Sequence, residues 1–289
     1  MNPQFPLYIV SKGRADTRLT SKALERMNVP YHIVVEASEY DAYTAVIDPA
    51  KVMILDESYK DSYELLDDLG RTKSTGAGPA RNFCWDHSIS QGYEWHWVMD
   101  DNIRGFWRRN RNRRMRLGDG TMFRACEDWV LRYKNIAMAG PQYEMFAPRR
   151  ERLPVFTPNT RIYSCNLIRN DVPFRWRGRY NEDTILSLDM LKAGWCTVLW
   201  YAFLQEKIRT QLIPGGNTSE LYGPDGSTGP KTQMLINTHP DVCRVMKRYG
   251  RIHHLADYRP FKRNRLKRKL GIEIPKGVDE YGLVEKERT

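Results

Sequence analysis

The chain has no Cys-x-x-Cys pair, no apolar run long enough to cross a bilayer, and no Gly-x-x-x-x-Gly-Lys-Ser/Thr loop. Each absence removes a class of protein. Its five cysteines, Cys84, Cys126, Cys165, Cys196 and Cys243, are scattered and odd in number, which argues against both a zinc site and a disulfide framework. Free thiols suit a reducing cytosol. With no spanning segment and no basic-then-apolar leader pattern, the expectation is a soluble, cytoplasmic protein without a membrane partner. Any phosphate has to be held by something other than a Walker loop. No internal repeat is visible.

What the chain does have is charge. Its 289 residues carry a formal net charge of +11, unevenly spread, and a clustered basic excess is the footprint of a phosphate-rich partner. The length suits one large domain, or a domain with an appendage.

The first hundred residues alternate between short apolar runs and helical patterns. Leu7–Val10, Tyr31–Val35, Val52–Leu55 and Trp95–Met99 read as strands. Helices are expected over Thr17–Met27, Ser38–Ala45 and Ala80–Gln91, the last after a flexible loop at Thr72–Pro79. This rhythm predicts a doubly wound α/β sheet. The second half is less regular. It predicts a helix over Val130–Ala139, a turn at Ala139-Gly140-Pro141 and a strand over Ile162–Ile168. A helix over Asp183–Lys192, a strand over Cys196–Leu199, a long loop or lid at Ile213–Pro230 and a basic tail from Arg259 to Lys269 complete the reading.

Tyr93-Glu94-Trp95-His96-Trp97-Val98-Met99-Asp100-Asp101-Asn102 is the most informative stretch. It is a strand that ends in two acids and an amide, at the carboxyl end where open α/β folds bind ligands. Adjacent carboxylates repel unless a cation lies between them, and hard divalent cations prefer oxygen ligands. A metal–diphosphate site is one reading; an acidic turn is the other. After strand one, Ser11-Lys12-Gly13-Arg14 offers backbone donors, a hydroxyl and two cations to a phosphate or nucleotide. Glu36, closing strand two, stands where doubly wound folds place an acid on a ribose. In Gly76-Ala77-Gly78-Pro79-Ala80-Arg81-Asn82 the glycines allow close backbone approach, and Arg81 lies in the first helical turn within reach of a base carbonyl or diphosphate. Solvated loop charge is the bland alternative for each.

Taken in order, these elements resemble the GT-A glycosyltransferases. The resemblance implies a Rossmann-like nucleotide-sugar-binding sheet with an irregular acceptor-binding second half, and Mn²⁺ or Mg²⁺ held by an Asp-x-Asp-type motif. Here that motif is Asp100-Asp101-Asn102, which is not a strict Asp-x-Asp. Tyr180-Asn181-Glu182-Asp183-Thr184-Ile185-Leu186, then Ala193-Gly194-Trp195, resembles the Glu-Asp motif of inverting members. It implies Asp183 as the base for the acceptor hydroxyl, with Glu182 orienting. Asn237-Thr238-His239-Pro240 implies His239 as a further metal ligand. Asp183 opens a helix whose dipole tends to lower a carboxyl pKa. More narrowly, Val10–Arg14 with Gly78–Asn82 and Met99–Asn102 resembles the TET-associated glycosyltransferases of bacteriophages. That implies a UDP-sugar donor and a 5-hydroxymethylpyrimidine in double-stranded DNA as acceptor, in the host cytoplasm if the protein is phage-encoded.

A basic run follows the metal motif: Arg104, Arg108, Arg109, Arg111, Arg113, Arg114 and Arg116, with Phe106 and Trp107 among them. Arginines track phosphates and aromatic rings stack on bases, so this run is the expected DNA contact. Arg175, Trp176, Arg177 and Arg179 are read either as walls of an acceptor pocket or, for Trp176, as core. The expected division is a domain over 1–245, with a nucleotide half at 1–103 and an acceptor half at 104–245, then a basic extension at 246–289. A glycan, protein or small molecule as acceptor, a nucleotidyltransferase, and a non-catalytic nucleic-acid-binding protein are the rival readings.

Overall fold

Alternate residues of a strand face opposite sides of a sheet, and a strand that is apolar at every position is covered on both. Leu7–Val10 (β1) has that pattern. Leu7 and Ile9 pack into one core cluster, Tyr8 and Val10 into another. The structure, a computed structural model, describes residues 1–68, 70, 74–208, 229–248, 251–273 and 277. Strands β1, His32–Val35 (β2), Val52–Ile54 (β3) and Trp95–Asp100 (β4) lie parallel in the order β3-β2-β1-β4. Between them run the helices Leu19–Arg26 (α1), Tyr40–Thr44 (α2), Ser58–Asp61 (α3) and Gly78–Ser90 (α4). This is the expected α/β alternation. It puts the strand-order reversal beside β1, where ligands of such sheets bind.

The second half extends the same sheet. Its strands are Ile103–Asn110 (β5), Arg113–Arg116 (β6), Ile136–Tyr143 (β7), Phe156–Pro158 (β8), Cys165–Arg169 (β9) and Cys196–Lys207 (β10). Among the described residues ten strands form one sheet, continuing β4-β9-β7-β10-β5-β6 with β8 paired to β10. Thr121–Val130 (α5) packs with α1 on one face. Glu182–Lys192 (α6) packs with α4 on the other.

Four expectations change here. The helix over Val130–Ala139 and the turn at Ala139–Pro141 are replaced by the end of α5 and by strand β7. Ala, Met, Gly and Pro are weak strand formers, but β7 lies between β9 and β10 and is buried almost throughout, so tertiary context overrides local preference. A Cβ on Gly140 would collide with the Cys165 carbonyl and the Ile162 side chain. The strand expected from Ile162 starts at Cys165, because Ser164 takes a left-handed φ of 59°. The strand expected to stop at Leu199 continues to Lys207. The arginine run forms the β5–β6 hairpin, turning at Arg111 with φ 53°. The second half is therefore ordered sheet rather than irregular structure.

Residues 213–228 of the expected lid lie outside the described residues, while Gly229 and Pro230 open helix Gly229–Thr238 (α7). The hairpin Cys243–Arg248 (β11) and Arg251–Ala256 (β12) follows, so the 245/246 division falls within β11. Met234 and Leu235 of α7, Val242, Cys243 and Phe261 pack on Leu188 and Leu191 of α6. The basic stretch after β12 is docked: Asn264 donates to the Leu191 and Trp195 carbonyls, and the Lys267 carbonyl accepts from the Lys134 N–H. No helix among the described residues is long and apolar enough to cross a membrane.

Candidate active site

The carboxyl ends of β1, β2 and β4 open into a cavity of about 710 Å³, within the range of small-molecule sites. The turn out of β4 is its floor. Helix α1 pins that turn: Thr20 Oγ1 donates to the Asp100 carbonyl and accepts from the Ile103 N–H, and the Thr20 N–H reaches the Asp101 carbonyl. Asp101 faces back toward β1. Its carboxylate takes Arg14 at 2.5 Å and Ser11 Oγ at 2.7 Å, and is almost fully buried. Burial raises its pKa against the pull of Arg14.

Arg81, one turn into α4, is the hub. Its guanidinium reaches Asp100 at 2.6 Å, Asp183 at 3.1 Å and Glu182 at 3.2 Å. It lies over the buried Trp176 ring, 4.5 Å from the centroid. Three carboxylates from two distant segments thus share one buried cation. A second cation holds the other oxygen of Asp100. Lys207, at the end of β10, binds Asp100 Oδ2 at 2.5 Å and Ser164 Oγ at 2.7 Å, and Ser164 Oγ also meets Tyr143 Oη at 2.6 Å. Burial pushes the Asp100 carboxyl up, but Lys207 and Arg81 more than reverse this, so it stays below the ordinary carboxylate range.

Asp183 lies in the first turn of α6 and also receives Asn166 Nδ2 at 3.5 Å. The helix dipole was expected to lower its pKa. Instead burial raises it to about 6, and Arg81 only partly opposes this. A carboxylate poised near 6 is well matched to general-base work close to neutrality.

Of the residues singled out from the sequence, Ser11, Lys12, Arg14, Glu36, Arg81, Asp100, Asp101, Asn102, Glu182 and Asp183 line the cavity. Others do not. The Gly13 N–H binds Glu39. Gly78 packs under Tyr63, which a Cβ there would strike. Asn82 bonds the Trp176 backbone through both its amide atoms. Glu36 reaches the cavity as an ion pair with Lys60 at 2.9 Å and Lys12 at 3.3 Å. Arg179 lines the cavity and pairs with Asp67 at 2.7 Å, whereas Arg175 and Arg177 pair with Asp86 and Asp189.

His239 is the clearest displacement. It is buried against α6, 3.6 Å from Asp189, and lines no part of the cavity. Burial lowers its pKa to about 4. Among the described residues no three His, Cys, Asp or Glu side chains gather as a metal site. A smaller oxygen set exists. Asp100 lines the cavity, and the buried Oδ1 of its neighbour Asn102 has no hydrogen-bond partner among the described residues. Oxygen donors suit Mn²⁺ or Mg²⁺, which would have to compete with Lys207 for Asp100.

The residues expected on DNA sit on the hairpin beside this cavity. Arg104, Arg111 and Arg113 are exposed, and Arg108 and Arg109 are half-buried. Trp107 Nε1 donates to Glu206, next to Lys207. Arg114 ion-pairs with Glu144 and donates to the Ala147 carbonyl at 2.9 Å, tying the hairpin to the turn that carries the cavity residue Phe146. Lys207, Ser164, Tyr143, Arg161 and Tyr163 were not anticipated. The one sequence signal among them was the reading of Ile162–Ile168 as a strand, which contains Tyr163 and Ser164.

The curated proteins contain no match to the chain. The profile of the TET-Associated Glycosyltransferase family matches residues 5–216, which span β1 to β10 and with them Ser11, Arg81, Asp100, Asp183 and Lys207. The chain belongs to the TET-associated glycosyltransferase family.

Proposed function

We propose that the protein moves a sugar from a UDP-sugar to the hydroxymethyl oxygen of 5-hydroxymethylcytosine or 5-hydroxymethyluracil in double-stranded DNA, inverting the sugar carbon. The observation that carries this reading is the convergence of Asp100 and Asp183 on Arg81 within one cavity. A donor-side acid at the end of β4 and an acceptor-side acid at the start of α6 are thereby held a side chain apart.

Val34, Val35 and Leu55 give the β1–β3 side of the cavity an apolar lining for the nucleobase, with Glu36 and Lys60 at its edge for the ribose. Ser11, Lys12 and Arg14 stand between that side and Asp100, where the diphosphate belongs. Asp183 accepts the proton of the acceptor hydroxyl. The freed oxygen bonds to the sugar C1 as the C1–O bond to the diphosphate breaks, and that electron pair leaves with UDP. Lys207, Arg81 and Arg14 stabilise the departing charge electrostatically. Asp100 and Asn102 would hold Mn²⁺ or Mg²⁺, which when bound supplies Lewis-acid stabilisation of the leaving diphosphate. Glu182, on the same guanidinium, keeps the acceptor side negative and positions Arg81.

The exposed arginines of the β5–β6 hairpin favour DNA over a glycan, because they offer phosphate contacts beside the cavity mouth. A target base inside a duplex has to swing out to reach Asp183. Labelled UDP-sugars offered with hydroxymethylated DNA, plain DNA and glycans test the reading. Label is expected on hydroxymethylated DNA alone; label on glycans with none on DNA sinks it.

A further inference from the structure

The turn Glu144–Phe146, directly after β7, carries two large apolar side chains that the steps above leave unused. Met145 is 45% exposed and Phe146 54%, and Phe146 lines the cavity. Single exposed apolar residues are ordinary on a surface. Two features of the setting distinguish this pair.

The first is that the turn is braced. The Ala147 N–H donates to the Tyr143 carbonyl at 3.1 Å, Arg114 donates to the Ala147 carbonyl at 2.9 Å, and Arg114 also ion-pairs with Glu144. The Tyr143 ring backs Phe146, with centroids 5.4 Å apart. The second is the charge around it. Arg109 donates to the Arg150 carbonyl, which joins the β5–β6 hairpin to the segment after the turn. Arg149, Arg150 and Arg152 on that segment are exposed. Burial lowers the pKa of Arg114, and repulsion from Arg149 and Arg109 lowers it further, so three arginines crowd one spot. A polyanion relieves that crowding. Apolar side chains set among phosphate-binding cations are the means by which proteins enter between base steps.

We propose that this turn is the wedge that opens the duplex. Met145 and Phe146 enter the stack at the target position and fill the space the base leaves, while the hairpin arginines with Arg149, Arg150 and Arg152 hold the phosphates around it. The proposal rests on the DNA-acceptor reading above and deepens it by naming the residues that expose the base. Phe146 and Asp183 line the same cavity, so a base displaced at Phe146 has the acceptor acid's pocket beside it. Displacement costs stacking and pairing, and a side chain in the gap offsets part of that cost.

The test uses the full chain, the UDP-sugar that the wild type transfers, and two duplexes with one 5-hydroxymethylpyrimidine each. In one the target faces its Watson–Crick partner. In the other it faces an abasic site, which makes displacement easier. Phe146→Ala is expected to lose about 10-fold or more in kcat/KM on the paired duplex, a fraction of the cost of unpairing and unstacking one nucleotide, and far less on the opened one. Met145→Ala is expected to shift the ratio the same way by a smaller factor. Phe146→Leu keeps an apolar wedge and is expected to recover most of the paired-duplex rate. With 2-aminopurine beside the target, binding of the wild type is expected to brighten the probe, and binding of Phe146→Ala to do so much less. The UDP melting shift checks folding in each variant. Equal losses on the two duplexes, or equal brightening by the wild type and Phe146→Ala, overturn the wedge while DNA transfer itself stands. Should Phe146→Ala fail to fold, the same comparison with Met145→Ala decides the matter. Transfer to glycans with none to either duplex overturns the DNA reading and the wedge together.

Discussion

Lys207 Nζ lies 2.5 Å from Asp100 Oδ2, on the opposite oxygen from Arg81. Both groups are largely buried. Removing Lys207 leaves the buried Asp100 with only the Arg81 that it shares with two other acids, at a cost of about 3 kcal/mol. Lys207→Met is expected to lose stability on that scale in urea unfolding. The same variant vacates the oxygen that a divalent cation would need. Mn²⁺ is therefore expected to raise the melting temperature of Lys207→Met more than that of the wild type. Equal shifts would mean that the ion binds elsewhere.

Asp183 must be ionised to accept a proton, and burial has raised its pKa to about 6. The transfer rate is therefore expected to climb as pH rises through about 6 and then level off. Asp183→Asn is expected to keep UDP binding, to cut transfer by about 10²-fold or more, and to lose that limb of the profile. A variant with near-normal rate, or an α-linked product from an α-linked donor, would remove Asp183 from the base role.

Arg111 and Arg113 are exposed at the hairpin turn and are not among the residues that line the cavity. Reversing both to Glu is expected to weaken duplex binding by about 10-fold or more at low salt and to flatten its salt dependence. The UDP melting shift is expected to stay unchanged. Binding curves that superimpose on the wild type would leave the hairpin as a charged surface only.

His96 predicts how stability responds to acid. Asn170 Nδ2 donates to Ser88 and to the Tyr93 carbonyl, so its Oδ1 accepts from His96 Nδ1. The Nε2 is buried with no hydrogen-bond partner among the described residues. Burial lowers the ring's pKa to about 4 from 6.5. A depressed pKa means that the fold favours the neutral ring. Its contribution is complete above about pH 6.5 and is lost as pH falls through about 4, a change of order 3 kcal/mol. Unfolding midpoints between pH 7 and 4 are expected to fall less steeply in His96→Asn than in the wild type. Parallel slopes would argue that His96 titrates normally in the fold.

Strands β1 to β4 were legible because each is a short, mainly apolar run bounded by polar residues. Strand β7 was not, because Ala, Met and Gly say little about a position enclosed by two neighbouring strands. In the site, Arg81 and Asp100 were readable from their places at a helix start and a strand end. Asn82 was not: one residue along a helix turns the side chain by about 100°, away from the cavity and onto Trp176. Lys207 is more than a hundred positions from Asp100. Only the pairing of β10 with β5 and β7 brings it there. His239 followed from family resemblance alone, and the packing of α7 on α6 carries it away from Asp100.

The sharing of Arg81 among Asp100, Glu182 and Asp183 has a consequence for timing. One guanidinium serves as counter-ion to Asp100 at the end of β4 and to Glu182 and Asp183 at the start of α6 at once. A diphosphate that draws on this cation leaves Asp183 less compensated, and its affinity for a proton rises at that moment. Loss of the diphosphate returns the cation to Asp183 and favours release of the proton to water. On the proposed reaction, arrival and departure of the donor thus tune the basicity of a group on the far side of one guanidinium, with no movement of the backbone required.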